Sequence, residues 1–152
     1  MPHSIARIYI HLVFGTKLRL PLIQETVQKS LFAFMAGILN RMDCEPIRIG
    51  GVNDHVHLLF VLSRKYAISK IAEEVKRHSS KWMKTQGDDF SGFQWQNGYA
   101  AFSVSQSILD RVIKYIENQA EHHRKRSFAQ EYEAILKKHG LTLDPPHWNE
   151  DI

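Results

Sequence analysis

The stretch Gly50-Gly51-Val52-Asn53-Asp54-His55-Val56-His57-Leu58-Leu59-Phe60-Val61-Leu62 constrains this chain more than any other. A Gly/Asn/Asp cluster reads as a turn, and the β-branched and apolar run behind it reads as a strand. Side chains alternate along a strand, so His55 and His57 face the same way with Cα atoms roughly 7 Å apart. Val56, Leu58, Phe60 and Leu62 fall on the opposite face and supply the burial that holds the strand rigid. Two neutral imidazoles on a rigid element begin a divalent-metal site, but two ligands are rarely enough. A third ligand and a reactive group have to come from elsewhere.

The segment from Ser4 to Phe14 has the same two-faced character. Ala6, Ile8, Ile10, Leu12 and Phe14 make an apolar face, while Arg7, Tyr9, His11 and Val13 make a more polar one. Laid beside the histidine strand, it would bring His11 and Arg7 toward His55 and His57. Pro21 to Met42 reads as a long amphipathic helix, and Pro46-Ile47-Arg48-Ile49 as a short strand that pairs in a hairpin with the histidine strand. A second helix is expected from about Ala67 to Lys84, with Lys70, Arg77, Lys81 and Lys84 on its outer face. Phe93-Gln94-Trp95-Gln96 and Tyr99-Ala100-Ala101-Phe102 flank Asn97-Gly98, a strong hairpin signal. A third helix runs from Ser107 to about Arg124, and a fourth opens on the capping box Ser127/Gln130 and ends at Gly140. The expected fold class is α+β, an antiparallel sheet of about five strands with helices packed on it. The domain is expected over 1–140, with an irregular tail over 141–152 that holds Pro145, Pro146, His147 and Trp148.

On the third helix Ile108, Val112 and Ile116 form an apolar stripe. Arg111, Tyr115, Gln119 and His122 form another, at steps of four, four and three, so Tyr115 and Gln119 point the same way. Tyr115 is a candidate nucleophile, and the Gln119 amide oxygen is a candidate ligand for a hard cation. A phenol titrates near about 10, so it attacks poorly at neutral pH without a metal, base or cationic neighbour.

Taken together, these residues resemble the single-tyrosine HUH transposases, a family that includes small insertion-sequence transposases and REP-associated tyrosine transposases. The likeness rests on Asp54-His55-Val56-His57-Leu58-Leu59, on Tyr115-Ile116-Glu117-Asn118-Gln119 downstream, and on Gly98-Tyr99 between them. Lys76-Arg77-His78-Ser79-Ser80-Lys81 and the Ser127-to-Gly140 segment add to it. The resemblance implies a ferredoxin-like nuclease fold and a homodimer. It also implies that His55, His57 and Gln119 hold Mg²⁺ or Mn²⁺ against the scissile phosphate of single-stranded DNA. Tyr115 would then attack, forming a 5′-phosphotyrosine link and freeing a 3′-hydroxyl, at ends marked by DNA hairpins. Whether Tyr115 serves its own subunit or a partner is open at the level of sequence.

Other residues carry weaker signals. Arg7, His11, Lys70, Arg77, Lys81, Lys84, Arg111, His122 and Arg124 are candidate DNA contacts, although a lysine-rich helix face is ordinarily just solvated. Trp95 is more simply read as core packing. A net charge of +4 suits a polyanionic partner without demanding one, and nine histidines can meet metal or phosphate without raising the resting charge. Cys44 stands alone, no run approaches a membrane span and no signal peptide is evident, so a cytoplasmic protein that does not engage membranes is expected. Two other functions fit less well. One is a domesticated hairpin-DNA-binding protein without strand transfer, and the other is a two-histidine phosphoesterase, whose paired His-x-Ser/Thr motifs are missing.

Overall fold

The alternation seen near the N-terminus becomes β1 (Tyr9–Gly15) in the computed structural model, which describes residues 4–142. Helix α1 (Glu25–Arg41) follows, and its buried Leu31, Met35, Ile38 and Leu39 recur at helical spacing. The chain turns at Asp43, which takes a φ of 56°, and enters β2 (Glu45–Gly51). The Asn53-Asp54 turn returns it as β3 (His55–Val61), the expected hairpin. Next come α2 (Ile68–Lys84) and β4 (Ala100–Val104). The four strands form one sheet in the order β2-β3-β1-β4, with every pairing antiparallel. A βαββαβ chain with that order is the ferredoxin-like arrangement.

The sheet separates two unlike layers. On one side Ile10, Leu12, Phe14, Val56, Leu58 and Phe60 pack against α1 and α2 in one continuous apolar core. Each such side chain contributes roughly 1.5–3 kcal/mol on burial. The other side is covered by α3 (Leu109–Glu117), the single turn α4 (Gln119–His122) and α5 (Phe128–Lys138). Ile116 of α3 sits on β2 directly above Gly50, where an added Cβ would lie 2.8 Å from both the Ile116 Cγ2 and its carbonyl oxygen. Helix α5 begins at the capping box Ser127/Gln130, as expected, and packs Phe128, Tyr132, Ile135 and Leu136 on Val13, Ala100 and Phe102.

Two expectations need correction. The sheet has four strands among the described residues, because Asn97-Gly98 does not close a hairpin. Phe93 and Trp95 are instead drawn into the apolar core, where each ring meets the next edge-to-face. Trp95 retains a single bridge to Thr16, and its indole N–H donates to Ser79 Oγ at 3.0 Å. Gly98, at a φ of 93°, releases the chain toward β4, which pairs with β1. The helix expected from Ser107 to Arg124 is also broken, at Asn118, a weak helix former held at φ −98° and ψ 22°. Trp148 and the Pro145-Pro146-His147 segment lie outside the described residues.

Candidate active site

Alternation along β3 sends both histidine rings to the α3/α5 side, and both are fully buried. The Asp54 carboxylate lies 2.7 Å from His55 Nδ1 and fixes that nitrogen as a donor, the usual backing of a metal-binding imidazole. His11 of β1 does the corresponding job for the second ring, its Nε2 standing 2.8 Å from His57 Nδ1. The Nε2 atoms of His55 and His57 are thereby left to face a common space.

Three further groups enter that space. Gln119 brings its Oε1 to 3.0 Å from His55 Nε2, and its amide N–H donates back to the Tyr115 carbonyl at 3.3 Å, across the break at Asn118. Glu131 of α5 places Oε1 at 2.9 Å from His57 Nε2 and Oε2 at 3.4 Å from His55 Nε2. Its carboxylate also accepts the Tyr115 hydroxyl and contacts His123 Nε2. Tyr115 thus reaches the histidines of its own chain, its ring 5.6 Å from that of His57.

The chemistry of this donor set suits a divalent cation. His55, His57 and Glu131 are all buried, and their ligand atoms lie within 4.8 Å of one another. His57 Nε2 is close to Glu131 but off the line of a hydrogen bond, so among the described residues it is buried without one. A buried lone pair aimed at a carboxylate and a second imidazole is a strong mark of a ligating nitrogen. Two nitrogens with a carboxylate and a carboxamide oxygen suit Mn²⁺ better than an all-oxygen cage would, and remain open to Mg²⁺.

Electrostatics fix the protonation of the set. Burial works against a charge on His55, but hydrogen bonds to Asp54 and Glu131 outweigh it and hold the pKa up at about 9. Burial dominates at His57 and, with the His55 charge beside it, lowers the pKa to about 4 despite Glu131. His11 is likewise pushed well down by burial. Burial alone would raise the Glu131 carboxyl, yet His123, His55 and His57 together keep it well below the usual carboxylate range. Burial and the hydrogen bond to Glu131 push the Tyr115 phenol up, so it stays protonated until positive charge arrives nearby.

The remaining candidates scatter. Arg111 lines a cavity beside Tyr115, and the His122 ring lies 4.8 Å from the Tyr115 ring. Arg124 pairs with Glu121 at 3.5 Å. Arg7 does not reach the histidines: it lies before β1, bonded to Tyr9 and 3.4 Å from Glu45. Lys70, Arg77, Lys81 and Lys84 ride on α2, across the sheet from the histidine pair, with Lys70 and Arg77 both held by Glu74. Sequence reasoning missed Glu131 and His123. The available signal for Glu131 was a glutamate inside the apolar stripe Phe128, Tyr132, Ile135 and Leu136, where a carboxylate needs a partner.

A phenol, a carboxylate and two imidazoles gather at one buried point on a ferredoxin-like sheet, an arrangement that can hold a cation beside an oxygen nucleophile. Residues 4–119 match the family described as "Transposase IS200 like", and the chain belongs to that family of DNA-binding, strand-transferring enzymes of transposition. It is 26% identical over 114 residues to the ISDra2 transposase TnpA of Deinococcus radiodurans, covering 72% of this chain and 81% of that one. The fold is similar to a crystal structure of a Deinococcus radiodurans protein described as a transposase, with TM-score 0.62 and 22% identity over 78% of this chain and 95% of that chain. It is also similar to a REP-associated tyrosine transposase bound to a REP hairpin, with TM-score 0.60 and 13% identity over 81% and 72% of the two chains. None of the described helices is long and apolar enough to cross a membrane.

Proposed function

We infer that the protein cleaves and rejoins single-stranded DNA at hairpin-marked ends, with Tyr115 as the nucleophile. The observation that carries this reading is the Tyr115 hydroxyl hydrogen-bonded to the carboxylate that also meets His55 and His57. His55, His57 and Glu131, with the Gln119 oxygen beside them, would hold a Mg²⁺ or Mn²⁺ ion. When bound, that ion supplies positive charge for the phosphoryl oxygens and draws down the pKa of the phenol.

The chain's own residues do the rest. Asp54 and His11 keep the two metal-facing nitrogens aimed, and giving up the Nε2 proton of His55 frees its lone pair. Tyr115 Oη forms a bond to phosphorus as the bond from phosphorus to the 3′-oxygen breaks. Glu131 already accepts the phenolic hydrogen bond and is placed to take the proton, while the departing 3′-oxygen takes one from solvent. A 3′-hydroxyl attacking the phosphotyrosine reverses these bond changes and rejoins DNA without an external energy source. Fixing the phenol by its contacts with Glu131, His57 and His122 supplies the proximity that such an attack requires.

The reading includes a homodimer of cytoplasmic protein, which light scattering of the purified chain would check. A domesticated hairpin-DNA binder is disfavoured by the survival of nucleophile, imidazoles and carboxylate in mutual contact. Incubation with Mn²⁺ and single-stranded hairpin oligonucleotides should give a denaturant-resistant protein–DNA adduct that disappears in Tyr115→Phe. An adduct that persists in that variant would reassign the nucleophile, and hairpin binding without any adduct would favour the binding-only protein.

A further inference from the structure

Beside the Tyr115 hydroxyl, α3 and α5 part to leave a cavity of about 430 Å³. Its floor is Tyr115 and Glu131, and its rim carries Arg111, Arg126, Lys138 and His139. The cations come from separate places, one on α3, one in the turn before α5 and one on the last turn of α5. Residues 126, 138 and 139 lie beyond residues 4–119, the span that the family model matches.

What sets the rim apart is that its cations face one opening beside the nucleophile. Arg7, Arg48, Lys65, Lys70, Arg77 and Arg124 each lie within 4.0 Å of a carboxylate oxygen. Arg111, Arg126 and Lys138 pair with no carboxylate among the described residues, and all three line one opening. The single acid among the lining residues, Glu131, turns its oxygens to Tyr115 and the histidines and forms no ion pair with any of the three. Cations of one sign around one opening make a local positive potential that favours an anion from outside. The walls are not purely ionic. The His139 ring lies flat on Phe102, 4.3 Å away at 17°, and Ile108, Val112 and Ile135 offer apolar surface to a sugar or base.

We propose that this cavity seats the nucleotide next to the scissile phosphate, with Arg111, Arg126 and Lys138 gripping its phosphodiester. The inference rests on the reading of Tyr115 as the attacking group. It adds a reason for the single strand to enter along α5. Gripping the neighbouring phosphate holds the strand on the protein, so the effect belongs to DNA binding more than to the chemical step.

The test uses the full chain carrying Tyr115→Phe, so that DNA is bound and not consumed, with a fluorescent single-stranded oligothymidylate and Mn²⁺. Adding Arg126→Gln and Lys138→Gln should weaken binding about tenfold near physiological salt. The slope of log affinity against log salt should fall by about 0.7 per charge removed. Lys70→Gln with Lys81→Gln, on the far layer, should change neither. In the chain with Tyr115 intact, the Arg126/Lys138 variant should still form adduct at saturating DNA. Once the adduct has mapped the scissile phosphate, each flanking phosphate is replaced in turn by an uncharged methylphosphonate. One of these replacements should reduce the parent's affinity to the variant's level and leave the variant's unchanged. Equal affinity and equal slope in parent and variant would overturn the proposal, as would methylphosphonate losses that are the same in both proteins. Those outcomes leave adduct formation by the Tyr115 protein intact, whereas failure of the nucleophile reading shows as an adduct that persists in Tyr115→Phe or as no adduct in any protein.

Discussion

The two faces of the sheet are built from the same strands and obey different rules. Toward α1 and α2, β1 and β3 contribute Leu12, Phe14, Leu58 and Phe60 to one continuous apolar core. Toward α3 and α5 the same strands contribute His11, His55 and His57, closed over by Tyr115, Gln119 and Glu131. The first face gains stability through burial. The second gives some of it up, since buried polar groups at best offset their own desolvation. Neighbouring residues one step apart on β3 therefore divide fold and function between them.

The largest effects should come from separating that pair. Leu58→Ala should cost about 2–5 kcal/mol, seen as a melting point lowered by roughly 5–15 °C. Adduct formation by the molecules that remain folded should be nearly unchanged. His57→Gln should do the reverse, losing about 10²–10³-fold in adduct rate while melting close to the parent. A Leu58→Ala protein that stays folded yet makes no adduct would mean that the two faces are not separable.

Gly50→Ala should give the next largest effect, because it strikes the joint between the layers. The new Cβ would meet both the Ile116 side chain and its backbone carbonyl at 2.8 Å, and the carbonyl cannot rotate away. Helix α3 must lift, carrying Tyr115 with it. A shift of about an ångström in the nucleophile is enough to cost roughly a hundredfold in rate, with a smaller stability loss of about 1–3 kcal/mol. Pairing it with Ile116→Ala should restore only part, since one of the two collisions remains. An unchanged rate in Gly50→Ala would show that α3 does not take its position from the sheet.

The faces also differ in how far the sequence reveals them. Alternation in β1 and β3 and the helical spacing of Leu31, Met35, Ile38 and Leu39 make the apolar layer readable, because burial imposes a period. The His55/His57 pair and the Tyr115–Gln119 step are readable for the same reason: two positions on a strand, or four on a helix, share a face. Glu131 is not local to either, and nothing in spacing says that α5 folds back over β3. The failed hairpin at Asn97-Gly98 has a related cause. A turn signal reports that the chain reverses, while the competition of Phe93 and Trp95 for the core decides whether both arms become strands. The break at Asn118 was equally silent, because it serves the contact between Gln119 and His55.

Glu131→Gln should rank below these in effect, because His55 and His57 remain to hold a cation. Mn²⁺ affinity, measured by calorimetry on the unreacted protein, should fall about 10–100-fold. The neutral amide still leaves an oxygen in place, so a larger loss than His57→Gln would mean that the carboxylate is the principal ligand. Unchanged affinity would remove Glu131 from the donor set and leave Gln119 as the third ligand.

The smallest effect is expected in the outer layer, at Glu74. Hydrogen bonds from Lys70 and Arg77 outweigh its slight desolvation and hold its pKa at about 2. A carboxyl depressed in the folded chain adds stability above its unfolded value near about 4.3, and that contribution disappears as pH falls through about 2. Glu74→Gln should therefore flatten the acid end of the stability profile slightly, moving the neutral-pH melting point by no more than about 2 °C. Its effect on DNA is the sharper reading. Removing Glu74 frees Arg77 and leaves Lys70 only its 3.8 Å contact with Glu73, so if α2 touches DNA the affinity and the salt slope must both rise. With the strand entering at α5 they stay as they were. A rise would move the DNA onto the apolar layer's helices and erase the division between the two faces.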